Sequence, residues 1–108
     1  MKLKKILSEL EGIKARGNVE IEINGITINS KEVKQGYFFI AIEGFVTDGH
    51  KYIMSAIENG ATAIMINTSR IQEFVNIIPQ EVTIIAIENT RIAAAKCACN
   101  FYDKKNIG

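Results

Sequence analysis

The sequence predicts a single small α/β domain with a mixed sheet of about five strands, an N-terminal hairpin, βαβ units and three to four helices. Three observations carry this expectation. Short, nearly uninterrupted apolar runs at 37–42, 61–66 and 82–87 have the length and composition of strands covered on both faces. Apolar residues at helical spacing fill the segments between and after them. A strand, a helix and a strand joined by short connections form a βαβ unit, whose two strands run parallel.

Each element has its own signal. Leu3, Ile6, Leu7 and Leu10 recur at helical spacing and predict a short amphipathic first helix, closed by Gly12 and Gly17. Val19, Ile21 and Ile23 then alternate with Glu20 and Glu22, the period of a half-buried strand. After Asn24-Gly25, Ile26 and Ile28 alternate with Thr27 and Asn29. Asn-Gly between two alternating runs predicts the hairpin, because both turn positions favour positive φ. Gln35-Gly36 opens the strand at 37–42, and residues 44–49 form a loop. Asp48 caps the next helix, whose apolar face is Ile53, Ala56 and Ile57 and which Asn59-Gly60 stops. The strand at 61–66 follows, then a weaker helix at 69–77 ended by Pro79, then the strand at 82–87. Asn89 or Thr90 caps an alanine-rich helix running to about Tyr102. Asn106-Ile107-Gly108 reads as the start of a further strand, which implies that the chain is part of a larger protein.

Composition excludes several classes. With 108 residues, 47% of them hydrophobic, the chain suits one globular domain rather than a disordered segment. Thirteen basic and 12 acidic residues give a net charge of +1, so no basic surplus exists to drive nucleic-acid binding. The apolar runs are too short for a signal peptide or a membrane span, and no membrane partner is expected. Cys97 and Cys99, the only cysteines, lie two residues apart in a predicted helix and point to different faces. They read as reduced thiols, hence a cytoplasmic protein. Two cysteines and one histidine at scattered positions are too few ligands for a metal site.

No catalytic constellation is visible. His50, the only histidine, is either a structural or solvated residue at a helix start or, with Asp48, a thin acid–base pair lacking a nucleophile. The phosphate-cradling G-x-x-x-x-G-K-[ST] loop is absent, so nothing in the chain is evidently able to hold ATP. Two loops carry groups suited to a ligand. Asn29-Ser30-Lys31 offers a hydroxyl and a cation, a workable pair for a phosphate, or else a plain polar turn. Gly44-Phe45-Val46-Thr47-Asp48-Gly49 offers glycines that let backbone approach a flat base, or else a plain strand-to-helix loop. Its adjacent Phe45 and Val46 are unusually apolar for an exposed loop.

Taken together these segments resemble a known family. The ordered set Ile28-Asn29-Ser30-Lys31, Val33, 35–42, Gly44, 47–53, Ala56 and Gly60-Ala61-Thr62-Ala63 is similar to the N-terminal signature of Mur ligases. That signature runs D-S-R-x-V-x-x-G-D-L-F-x-A-x-x-G-x-x-x-D-G-H-x-F-I and is followed by a helix and G-A-x-A. Asn29, Lys31 and Tyr37 stand where it has Asp, Arg and Asp, which removes an Asp–Arg pair from the first loop. Glu88-Asn89-Thr90-Arg91 and Phe101-Tyr102 resemble the family's last helix before its ATP-binding strand.

The resemblance implies an N-terminal domain, residues 1–108, that holds the UDP end of a UDP-N-acetylmuramoyl dipeptide. Central ATP-binding and C-terminal domains of the same chain would be its other partners. It implies an ATP- and Mg2+-dependent parent enzyme in peptidoglycan synthesis. There a substrate carboxylate becomes an acyl phosphate, an amine attacks it, and phosphate leaves. No catalytic residue, metal or cofactor is expected within these 108 residues. By position, Ser30 would contact the uridine diphosphate and Ile28 would line the same pocket. Phe45, Val46 and Thr47 would surround uracil. The Thr-Arg start and Phe-Tyr end of the last helix favour the member that adds the third residue, with meso-diaminopimelate expected. The alternatives are the sister ligase that adds D-alanyl-D-alanine and a stand-alone UDP-sugar or protein-binding module.

Overall fold

The computed structural model of the chain describes residues 1–44 and 47–107, with 103–107 described as backbone only. A five-stranded sheet forms its centre. The strands are β1 (Lys14–Arg16), β2 (Gly25–Thr27), β3 (Tyr37–Ile40), β4 (Ala63–Asn67) and β5 (Thr83–Ile87), in the order β1-β5-β4-β3-β2. β2 to β5 are mutually parallel, and β1 runs antiparallel to β5 along one edge. The helices are α1 (Leu3–Ile6), α2 (Ile53–Glu58), α3 (Ile71–Phe74) and α4 (Thr90–Ile107). The expected class, a small α/β domain with a five-stranded mixed sheet, is the one observed, although one of the five strands is not among those expected.

The alternation of side chains along each strand splits the core in two. Phe38 and Ile40 of β3 join Met65 and Ile85 on one face, beneath Leu3, Ile6, Ala93, Cys97 and Phe101 of α1 and α4. Phe39 and Ala41 join Ile64, Ile66 and Ile84 on the other, covered by Ile53 and Ala56 of α2 and by Phe74. Both faces of β3 and β4 are therefore dry, which is why these strands read as continuous apolar runs. Each successive parallel strand is laid beside the last, so α2 and α3 fall on one side and α4 must return on the other.

The expected hairpin does not form. Its first arm, 19–23, is a turn and bend rather than a strand, and it bonds to the chain start: Leu3 N–H donates to Ile21 O (2.9 Å), Lys4 N–H to Val19 O (2.8 Å) and Ile23 N–H to Met1 O (2.8 Å). Lys2 and Lys4 reach Glu20, and the terminal amine reaches Glu22 (3.0 Å). The alternation is real, because Ile21 and Ile23 pack on the core, but its partner is α1 rather than β2. Neither Asn24 nor Gly25 has positive φ, whereas Gly36 does at 82°. Asn24 is spent bridging that turn, with its N–H donating to Gly36 O (2.9 Å) and its Nδ2 to Gln35 O (3.2 Å). β2 consequently runs parallel to β3. A Cβ on Gly25 would lie 2.4 Å from the Tyr37 ring, so a larger residue there would have to displace that ring.

The ends of other elements also differ from expectation. β1, between Gly12 and Gly17, carries no apolar alternation and went unforeseen. Arg16 explains its place. The Arg16 guanidinium donates to Val75 O (2.8 Å), Ile78 O (3.3 Å), Pro79 O (2.9 Å) and Val82 O (3.1 Å), tying β1 to the turn that leads into β5. The weak helix expected at 69–77 is a 3₁₀ turn (Thr68–Arg70) followed by one turn of α3. α4 is capped by Asn89, whose Oδ1 accepts Ile92 N–H (3.0 Å), and continues to Ile107. Residues 106–107 are thus helical and do not start a strand, since no helix-breaking residue precedes Gly108.

Candidate functional site

The carboxyl ends of parallel strands are where open α/β sheets bind ligands, because the connecting loops diverge there. After β2 the chain enters a tight 3₁₀ turn (Ser30–Glu32). Asn29 Oδ1 accepts Lys31 N–H (3.0 Å), and Thr27 Oγ1 accepts Asn29 N–H (3.0 Å) while donating to Glu32 Oε2 (3.1 Å). Asn59 at the end of α2 donates to Ser30 O (2.9 Å). Ser30 is buried, and among the described residues no hydrogen bond engages its hydroxyl.

The second loop leaves β3. Glu43 and Asp48 form an antiparallel bridge across it, Gly44 N–H donates to Thr47 O (3.0 Å), and Gly49 N–H donates to Ile42 O (2.8 Å). Asp48 Oδ1 accepts His50 N–H (3.0 Å) and caps the 3₁₀ turn (Gly49–Tyr52) that leads into α2, as its position in the sequence suggests.

His50 lies beneath this loop and is fully buried. Its Nδ1 meets Asp48 Oδ1 at 2.8 Å, and its Nε2 accepts Asn67 N–H at 3.0 Å from the end of β4. An acceptor at Nε2 requires the proton on Nδ1, so the ring is neutral and donates to Asp48. Both nitrogens are satisfied, which assigns His50 a structural role. Burial alone would raise the Asp48 carboxyl, but Arg70's hydrogen bond (2.5 Å), with His50's N–H and ring, outweighs it. The net result holds Asp48 well below the usual carboxylate range. Arg70 is itself held by Glu73 and Asp48, whose hydrogen bonds raise its already high pKa.

The two loops meet in one cleft of about 360 Å3, lined by Ile28, Asn29 and Ser30 from the first and Ile42, Gly44, Thr47 and Gly49 from the second, with Tyr52 beside them. The structure therefore brings together Ile28, Ser30 and Thr47, three of the residues singled out in the sequence. Phe45 and Val46 lie outside the described residues. Lys31 is exposed and not among the lining residues. Ile42 and Tyr52 were missed; an aromatic one helical turn past Asp48 was the available signal for Tyr52. Ile28, 59% exposed, and Tyr52, 38% exposed, are large apolar groups presented to solvent at this rim. An apolar rim with a few hydroxyls suits a flat, polar-edged ligand.

A wider recess of about 420 Å3 between the end of α1 and α4 is less suited to an anion. Glu9, Glu11 and Glu88 face it with Lys96 as its one cation among the lining residues. Among the described residues no group of three or more His, Cys, Asp or Glu is placed to hold a metal. No helix there is long and apolar enough to cross a membrane.

Comparison with known proteins adds independent findings. The family model described as Mur ligase family, catalytic domain, matches residues 22–102. The UDP-N-acetylmuramoyl-L-alanyl-D-glutamate--2,6-diaminopimelate ligase of Bacteroides fragilis is 41% identical over 102 residues, and that of Clostridioides difficile is 43% identical over 103. These matches cover 94% and 95% of this chain but 20% of each relative, so the chain spans about a fifth of their length. Among solved structures, UDP-N-acetylmuramoylalanyl-D-glutamyl-2,6-diaminopimelate--D-alanyl-D-alanyl ligase from Acinetobacter baumannii shares the fold. Its TM-score is 0.71 at 17% identity, over 95% of this chain and 22% of that one. MurF ligase from Thermotoga maritima in complex with ADP is 33% identical with a TM-score of 0.51, over 68% of this chain and 15% of that one.

Proposed function

Because this chain belongs to the Mur ligase family, we propose that it is the N-terminal domain of a peptidoglycan ligase and that its cleft holds the uridine-diphosphate end of a UDP-muramoyl peptide. The supporting observation is the convergence of Ile28, Asn29 and Ser30 with Ile42, Gly44, Thr47 and Gly49 on one cleft beyond the ends of β2 and β3. In this reading uracil lies between Ile28 and Tyr52, and the Ser30 hydroxyl donates to a phosphate or ribose oxygen. Gly44 N–H is already spent on Thr47 O, so the loop reads the base through its other groups. The roles of Phe45 and Val46 around uracil remain part of the proposal.

The parent enzyme is proposed to be ATP-dependent and cytoplasmic, and to add the third residue, meso-diaminopimelate, to UDP-N-acetylmuramoyl-L-alanyl-D-glutamate. The 2,6-diaminopimelate ligases at about 40% identity support this acceptor. Residues of this chain do not fit ATP or Mg2+, because the sequence has no phosphate-cradling lysine loop and the described residues offer no metal group. We therefore assign this chain no chemical step. It anchors one end of the substrate and thereby orients the other.

Calorimetry with UDP-N-acetylmuramoyl-L-alanyl-D-glutamate tests the reading. Binding should be weak, since the full affinity would be spread over further domains. Ser30→Ala should weaken it by about ten- to hundred-fold, the worth of one hydrogen bond to a charged group. Unchanged affinity in Ser30→Ala would remove Ser30 from the site. A second reading, the D-alanyl-D-alanine-adding ligase, draws on the 33% identity to the Thermotoga maritima protein. Phosphate release by the full-length enzyme with each amine acceptor separates the two.

A further inference from the structure

The cleft wall formed by Gly44, Thr47 and Gly49 is only as well placed as the two stems of its loop. Those stems meet at the Glu43–Asp48 bridge. We infer that Arg70, which does not line the cleft, is a positioning residue that clasps both stems and so sets that wall for the ligand. The inference rests on the reading that the cleft takes a uridine diphosphate.

One guanidinium nitrogen faces both stems, while the other two hold Glu73. Arg70 Nη1 lies 2.5 Å from Asp48 Oδ2 on one stem and 3.6 Å from Glu43 Oε1 on the other. Behind it, Glu73 pairs with the guanidinium through both carboxylate oxygens. The guanidinium carbon lies 5.9 Å from the centre of the Phe74 ring, which packs beside buried His50. Asp48's other oxygen is taken by His50, which is bonded in turn to Asn67 at the end of β4. The Glu43 stem has a further tie, since Arg91 of α4 donates to Glu43 O at 2.9 Å. The loop is thus fixed to β4, α3 and α4, with Arg70 as the side chain that touches both of its stems. A lysine could not reproduce this, because a single ammonium lacks the planar fork that meets several carboxylates at fixed angles. Nothing in the local sequence advertises the role: Arg70 stands 22 residues after Asp48, at the end of a 3₁₀ turn.

The test uses UDP as the probe, with amide hydrogen exchange at Gly44 and Gly49 as a readout that needs no ligand. Arg70→Ala should weaken UDP binding by about ten-fold, the loss expected when one charge-assisted contact is transmitted to the site. It should also speed exchange of both amides, and Arg70→Lys should recover the affinity only in part. A merely structural Arg70 would lower the melting temperature and leave the affinity of the folded chain unchanged, which would overturn the inference. Unaltered exchange at Gly44 and Gly49 would overturn it too. Should Arg70→Ala fail to fold, Glu43→Gln removes one stem contact at a half-exposed residue. It is expected to weaken UDP by a few-fold, and wild-type affinity and exchange there would count against the clasp. No binding of UDP by the wild-type chain would overturn the cleft reading and Arg70's ligand role, while the exchange rates still decide the clasp itself.

Discussion

Gly49→Ala probes the junction between fold and site. Gly49 lines the cleft and starts the turn into α2. A Cβ there would stand 2.7 Å from Ile42 N, 3.0 Å from Ile42 O and 3.3 Å from Ala41 Cα, all backbone atoms beyond the end of β3. No side chain can rotate away, so the backbone must part by about 0.7 Å to reach ordinary contact. Overpacking of this kind costs about 1–3 kcal/mol. The Gly49 N–H to Ile42 O bond, 2.8 Å long, would stretch and lose up to about 1 kcal/mol more. Reduced freedom of the unfolded chain returns about 0.5 kcal/mol. The expected loss is about 2–3 kcal/mol, or about 10–20 °C in Tm for a domain of this size. The chain has no tryptophan, so urea and thermal unfolding are best followed by far-UV circular dichroism. UDP affinity, measured on the folded fraction, should fall with it because the loop is displaced. A variant with wild-type stability and wild-type affinity would refute the packing argument and the placement of this loop in the site.

Other outcomes follow from the same structure. Arg16→Met should cost about 2–4 kcal/mol in urea unfolding, because four carbonyls of the 75–82 turn lose their charged donor. Asp48 has a lowered folded pKa, so its contribution is complete above its unfolded value near pH 4 and is lost as pH falls through the folded value. The urea midpoint of the wild type should therefore drop below about pH 4, and Asp48→Asn should lack that component of the drop. Burial pushes the Cys97 thiol up to about 12, whereas Cys99 is exposed. A thiol reagent at neutral pH should label Cys99 alone in the native chain and both cysteines in urea.

What could be read in advance divides along a physical line. β3, β4 and β5 were legible because strands buried on both faces must be apolar throughout, and the βαβ order forces them parallel. Val19, Ile21 and Ile23 show a strand's period, but periodicity does not name a partner, and the chain start competed successfully with β2. β1 was illegible because it has no apolar alternation and is held by its pairing with β5 and by Arg16 donating to carbonyls 59 to 66 residues away. The site divides the same way. Ser30 and Thr47 sit in local patterns that a linear reading can see. Ile42 enters the cleft only through the fold, as does Arg70 behind it, and Tyr52 had no more than its spacing from Asp48 to mark it. Asp48 and His50 were visible as a pair, yet only the Asn67 N–H on Nε2 shows that the ring is spent on structure.

The central claim is that the cleft lined by Ile28, Ser30, Ile42, Gly44, Thr47 and Tyr52 takes the uridine-diphosphate end of a UDP-muramoyl peptide. Amide shift mapping of the labelled chain during titration with UDP-N-acetylmuramoyl-L-alanyl-D-glutamate tests it most directly. The account predicts saturable shifts centred on Ile28, Ser30, Ile42, Gly44, Thr47 and Tyr52, displaced to at least about ten-fold higher ligand concentration in Ser30→Ala. Shifts confined to another surface, such as the recess beside Glu9, Glu88 and Lys96, or no shifts at all, would contradict it.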